Sequence, residues 1–131
     1  MLALDTNVLV RFLVDDDEIQ SSRAAKLVSR TIRGGEQLFV SDVVLCELVW
    51  VLRASYSFGR AEVAGVLQRL LKAAHLTFTD SDQLKRAAEA FASGKSDFAD
   101  YVIREQARAA GCECVVTFDR ALLKEAHFAA P

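Results

Sequence analysis

Met1-Leu2-Ala3-Leu4-Asp5-Thr6-Asn7 opens the chain, an apolar run that stops at an acid and passes directly into Val8-Leu9-Val10-Arg11-Phe12-Leu13. The run has the length of a short strand, and the stretch from Asn7 to about Val14 has that of a helix, which leaves Asp5 at the junction. A carboxylate beside apolar chain is costly unless positive charge compensates it. Three more acids repeat the situation: Glu47, Asp100 and Asp119 fall at comparable junctions or inside apolar helix. A divalent cation is the compensation that dispersed acids of this kind would share.

Working outward from Asp5, strands and helices alternate. The cluster Asp15-Asp16-Asp17-Glu18 starts a helix running to about Arg33, where acids suit the positive end of the helix dipole. Gly34-Gly35 ends it, and Leu38-Phe39-Val40 is the second strand. Ser41-Asp42 caps an apolar helix from Val43 to about Ala54, and Gly59-Arg60 precedes another through about Ala74. Leu76-Phe78 is the third strand, and Thr79-Asp82 caps a helix reaching about Ala92. After the loop Ser93-Ser96 a helix spans Phe98 to Ala110, Gly111 terminates it, and Cys114-Phe118 is the fourth strand. A short helix follows Asp119. This alternation predicts a parallel sheet covered by helices, with ligands gathering beyond the carboxyl ends of the strands.

The 131 residues suit a single domain, 1–131, able to bury one core. With 52% hydrophobic and 26% charged residues the composition is that of a globular protein. No apolar run reaches the ~18 residues that span a bilayer, and no basic segment precedes the first apolar residues, so no membrane partner and a cytoplasmic location are expected. Cys46, Cys112 and Cys114 have no framework or zinc-site spacing and read as structural or incidental. The formal charge of −2 argues against broad basic-surface binding of nucleic acid. The four singled-out acids contribute −4, however, so the remainder carries +2, and a nucleic-acid substrate is not excluded. Basic residues are scattered, with loose groupings only at Arg53/Arg60, Arg69/Lys72 and Arg104/Arg108.

Each acid also has a plainer role. Glu47 is the sole charge in Val43–Leu52, and Val43, Val44, Trp50 and Val51 surround it at helical spacing, so no local ion pair forms. A helix apolar all round is expected to be buried, which would force this carboxylate to be protonated, paired with distant Arg11 or Arg53, or coordinated. Asp5 caps the first helix equally well, Asp100 is placed as a first-turn acid, and Asp119 as a cap. Asp97 reads first as the N-cap of the Phe98–Ala110 helix and second as a metal ligand. Thr6, Asn7 and Thr117 flank the acids, where they either orient carboxylates or complete turns. His75 and His127 lie outside any nucleophile or zinc spacing. No glycine-rich phosphate loop or serine elbow is present.

Four words in order, Leu4-Asp5-Thr6-Asn7-Val8-Leu9, Ser41-Asp42-Val43-Val44-Leu45-Cys46-Glu47-Leu48, Asp97-Phe98-Ala99-Asp100 and Val116-Thr117-Phe118-Asp119-Arg120, resemble the PIN-domain family of metal-dependent nucleases, especially VapC-type toxins of toxin-antitoxin pairs. The resemblance covers essentially the whole chain. It implies a three-layer α/β/α sandwich with a central, mainly parallel sheet. It also implies an acidic pocket for Mg²⁺ or Mn²⁺ in which Asp5, Glu47 and Asp100 are the core acids, Asp119 the fourth and Thr117 the accompanying hydroxyl. An RNA substrate, a cognate antitoxin and a homodimer are implied as well. Tyr101 and Arg104-Glu105 stand where relatives often carry small apolar residues, which leaves the metal site intact and bears on substrate contacts.

The chemistry follows from charge. Two carboxylates about 5 Å apart repel by roughly 3 kcal/mol at an effective dielectric near 20. A cation relieves this repulsion and activates water for attack on a phosphodiester, with no side-chain nucleophile required. Two other readings compete. An aspartate-dependent phosphatase would want a second acid two residues after Asp5, where Asn7 stands, and a phospho-accepting receiver lacks its paired acids and late lysine. A non-catalytic interaction domain would keep an acidic pocket for a partner's Arg or Lys. The helices Val43–Leu52 and Val63–Leu71 offer surplus apolar surface for a dimer.

Overall fold

Parallel pairing starts with the opening run. In the computed structural model, which describes all 131 residues, β1 (Leu2–Ala3) lies beside β2 (Leu38–Phe39), and β2 beside β3 (Leu76–Thr77). Leu2 pairs with Leu38 and Leu38 with Leu76; the backbone N–H groups of Leu4 and Val40 continue the ladders to Phe39 and Thr77. A second parallel pair joins β4 (Val115–Val116) to β5 (Phe128–Ala129). β5 is the one strand that the sequence pattern did not announce, since two residues before Pro131 carry no periodicity.

Six helices intervene: α1 (Thr6–Leu13), α2 (Glu18–Arg33), α3 (Asp42–Ala54), α4 (Arg60–Lys72), α5 (Ser81–Ser93) and α6 (Phe98–Ala109). Their starts are set by short polar side chains. Asp5, Asp17, Ser41 and Asp80 each accept a hydrogen bond from a first-turn backbone N–H. Gly35 and Gly111, at φ 66 and 89, supply the left-handed turns that carry the chain away from α2 and α6. No helix is long and apolar enough to cross a membrane.

Leu45, Leu48 and Leu52 of α3 meet Leu67 of α4, Leu84 and Phe91 of α5, and Phe98 and Tyr101 of α6 in one buried core. Phe91 and Phe98 meet edge to face, with ring centroids 6.2 Å apart. Arg60 closes this end: its guanidinium lies 4.3 Å over the Phe91 ring and donates to the carbonyls of Phe91 and Ser96, both at 2.9 Å. The loop before α6 is thereby tied to α4, which fixes where α6 begins.

Two expectations about apolar surface change. On α4, Val63, Ala64, Val66, Leu67, Leu70 and Leu71 are all buried, so this helix has no apolar face to spare. On α3 the reverse holds: Val43 and Trp50 are 65% and 69% exposed, and Glu47 lies between them on the same exposed face. α3 is not buried all round because its inner stripe of Leu45, Leu48, Val49 and Leu52 already meets the core. Glu47 therefore pays no desolvation cost of the kind its apolar neighbours implied. Neither suggested ion-pair partner serves it: Arg11 binds Asp16 at 2.7 Å, and Arg53 stands 3.9 Å from Asp97.

Candidate functional site

The acids lie on different elements of the fold. Asp5 caps α1 at the carboxyl end of β1, accepting from the Thr6 N–H at 2.8 Å. Thr6 is buried and its Oγ1 has no hydrogen-bond partner, so a polar atom beside Asp5 is left unsatisfied. Asn7 is exposed on the first turn.

Asp100 occupies the first turn of α6, where its Oδ2 accepts from the backbone N–H of Asp97 at 3.3 Å. Asp97 is the N-cap, as expected, and its exposed side chain reaches toward Arg53. Partial burial raises the Asp100 carboxyl above its ordinary value; the Asp97 N–H opposes this, and the negative charges of Asp97, Asp119 and Glu125 add to it. Asp119 is exposed in the loop after β4. Its backbone N–H donates to Thr117 Oγ1 at 3.0 Å, and its Oδ1 accepts from the Ala121 N–H at 2.9 Å. Thr117 thus holds the Asp119 turn, and Asp119 caps the descent into the 3-10 turn Leu122–Lys124.

Glu125 is the residue that sequence reasoning passed over. The buried Tyr101 hydroxyl donates to its carboxylate, at 2.7 and 2.8 Å from the two oxygens, and accepts from the Ser96 N–H at 3.3 Å. Nothing in the local word Lys124-Glu125-Ala126 marks it; only the fold sets it beside α6. Arg104 and Glu105, which also looked like a departure bearing on substrate, turn inward. Glu105 is 2% exposed and bound by Arg86, Arg104 and Arg108.

Glu47 can be placed relative to Asp100 by two ties between α3 and α6. Gln106 Nε2 donates to Asp42 Oδ2 at 2.6 Å, and Arg53 lies near Asp97, so the helices run antiparallel. Glu47 sits on α3 between these two ties, as Asp100 sits on α6 between Asp97 and Gln106. Asp5 follows β1 in the register in which Ser41 follows β2, which sets it beside the start of α3. Asp97, Asp100, Asp119 and Glu125 form one electrostatic neighbourhood; Asp5 lies at the start of α1 and Glu47 on the outward face of α3. Neither hydrogen-bonds to its members, and no three His, Cys, Asp or Glu side chains close around one point tightly enough to hold an ion.

The donor set is nonetheless chemically suited to a hard cation. It consists of carboxylate and hydroxyl oxygens, and the raised Asp100 carboxyl lies among like charges that a cation would relieve. The three cysteines are free. Burial, and then the Asp42 charge, push the Cys46 thiol up to about 11, which makes it inert rather than a ligand.

A family model described as PIN domain matches residues 2–128. The chain is also similar to a VapC ribonuclease of Aquifex aeolicus (strain VF5), 27% identical over 124 residues that make up 95% of this chain and 91% of the relative. With the match spanning nearly every residue from β1 to β5, the chain belongs to the PIN-domain family.

Proposed function

We propose that this protein is a metal-dependent endoribonuclease, the toxin of a toxin-antitoxin pair, that hydrolyses RNA phosphodiester bonds. What carries the reading is the membership of the PIN family, with similarity along the chain to a VapC ribonuclease, together with a half-buried Asp100 whose carboxyl is raised first by burial and then by the charges of Asp97, Asp119 and Glu125. Asp5, Glu47, Asp100 and Asp119 would hold one or two Mg²⁺ or Mn²⁺ ions. When bound, such an ion supplies Lewis acidity, making water acidic enough to attack and neutralising charge on the phosphate. Thr117 holds the Asp119 turn in place, the Asp97 N–H holds Asp100, and Tyr101 holds Glu125 at the rim. A homodimer would use the exposed Val43–Trp50 face of α3.

A second reading is a non-catalytic domain whose acidic pocket receives a partner's Arg or Lys. It would use the same acids, so that binding and catalysis would share residues.

One assay separates the two. Purified protein freed of any antitoxin is incubated with a mixed RNA pool in Mg²⁺, Mn²⁺ or EDTA, beside Asp5→Asn and Asp100→Asn. The nuclease reading expects cutting in metal only, lost in both variants. Cutting that persists in EDTA or in the variants would sink the metal-site assignment. No cutting in any condition would favour the binding domain.

A further inference from the structure

α2 carries a feature that the acidic site does not use. Arg23, Lys26, Arg30 and Arg33 recur at intervals of three, four and three residues. At 100° per residue they fall within an arc of about 80°, and they extend about 15 Å along the helix. All four are exposed, and none makes an ion pair or a side-chain hydrogen bond. The opposite face, Ser21, Ala24, Val28 and Thr31, is the buried one. The helix's only acid, Glu18, lies in its first turn.

This stripe lines an open groove of about 1440 Å³ that also includes Asn7 and Arg11 of α1. It is an open surface groove rather than an enclosed small-molecule pocket. Arg11 is already engaged by Asp16, Gln20 and Tyr56, so it shapes the wall, and the four α2 cations carry the free positive charge. Asn7, one of the lining residues, follows Asp5 by two positions on the first turn of α1.

We infer that the Arg23-Lys26-Arg30-Arg33 stripe of α2 is a track for the phosphate backbone of single-stranded RNA. For its substrate class the inference rests on the nuclease reading above. The physical need is plain: a chain of net charge −2 that cuts RNA at an acidic site repels a polyanion there unless cations elsewhere hold it. Positions in the stripe fix the strand through phosphates and read no bases.

The test is metal-free binding of a 5′-labelled, unstructured oligoribonucleotide by fluorescence anisotropy in EDTA, with KCl varied from about 50 to 200 mM. Wild type is compared with R23Q/K26Q/R30Q/R33Q and with the charge-keeping R23K/R30K/R33K. Gln forms helix as well as Arg and Lys do, and circular dichroism checks that the fold is kept. Each phosphate neutralised in a single strand contributes about 0.7 to the slope of log K against log salt, so four contribute about 2.8. Over that salt range the wild-type Kd should therefore rise about 50-fold more than that of the Gln variant. The Lys variant should follow the wild type.

Equal slopes for wild type and Gln variant, or no RNA binding by wild type, overturn the proposal and leave an acidic protein segment as the groove's occupant. Cleavage of the mixed RNA pool in Mg²⁺ is scored separately. A slope difference without cleavage supports the track and defeats the nuclease reading, while cleavage with equal slopes does the opposite.

Discussion

Glu105→Gln is the sharpest probe of how α6 is held. Glu105 is 2% exposed and accepts from Arg86, Arg104 and Arg108 at 3.2, 3.0 and 3.3 Å. Only Arg104, 12% exposed and stacked 5.1 Å over the Tyr101 ring, shares its burial; Arg86 and Arg108 are 51% and 46% exposed. A charged hydrogen bond to a buried partner is worth about 1.5–3 kcal/mol, whereas each half-exposed pair contributes about 0.2–1 kcal/mol. Gln keeps the shape and one acceptor, so the expected loss is about 2–3 kcal/mol. With an unfolding entropy of about 2.1 cal/mol/K per residue, a chain of this length loses roughly 7–11 °C in Tm. The pH dependence adds a second check. Burial alone would raise the Glu105 carboxyl, but the hydrogen bond from Arg104 and the charges of Arg108 and Arg104 outweigh it, and Arg86 adds to them, so the net direction is down. A lowered carboxyl stabilises the fold above the ordinary value of 4.5 and loses that stabilisation as pH falls through the folded value. Scanning calorimetry at pH 7 and at steps below 4.5 reads both effects. A Tm change under about 3 °C at pH 7, or a gap that does not narrow in acid, would refute the claim that this cluster anchors α6.

Asp100→Asn should act with the opposite sign. Burial and the surrounding acids raise the Asp100 carboxyl, so the fold prefers it neutral. That preference stabilises the protein below the ordinary value of 3.8 and is lost as pH rises through the folded value. In EDTA at pH 7 the variant should therefore melt above wild type, with the difference fading toward pH 3; a variant melting below wild type would contradict the crowding of charge. Gly94→Ala places a Cβ against the Tyr101 hydroxyl and within 2.7 Å of the Ala90 carbonyl. Overpacking of this kind costs about 1–3 kcal/mol, and displacing Tyr101 frees Glu125, so stability and cleavage should fall together. Unchanged melting would mean that the Tyr101–Glu125 contact is not fixed by this close approach.

The fold was legible in the sequence because each element carries its own local signal. Ser41, Asp80 and Asp97 mark helix starts, Gly35 and Gly111 mark ends, and the apolar triplets between them are strands. The site was legible only in part, because a site depends on which face of an element turns outward. Glu47 shows the difference. Its apolar neighbours implied burial, yet a 13-residue helix needs only one stripe for its core, and Val43, Glu47 and Trp50 share the face that was left over. Isolation among apolar residues therefore does not by itself argue for coordination at Glu47, and its place in the proposed site rests on the PIN-family resemblance. Arg104-Glu105 errs the other way: charged in sequence, it is interior in the fold because three guanidinium groups converge on one carboxylate from α5 and α6. The α2 cations looked scattered in sequence because they are separated by two or three residues; at 100° per residue that same spacing is what aligns them. Charge read along the chain and charge read around a helix are different quantities, and for a protein of net charge −2 it is the second that decides whether a polyanion can approach the acids at all.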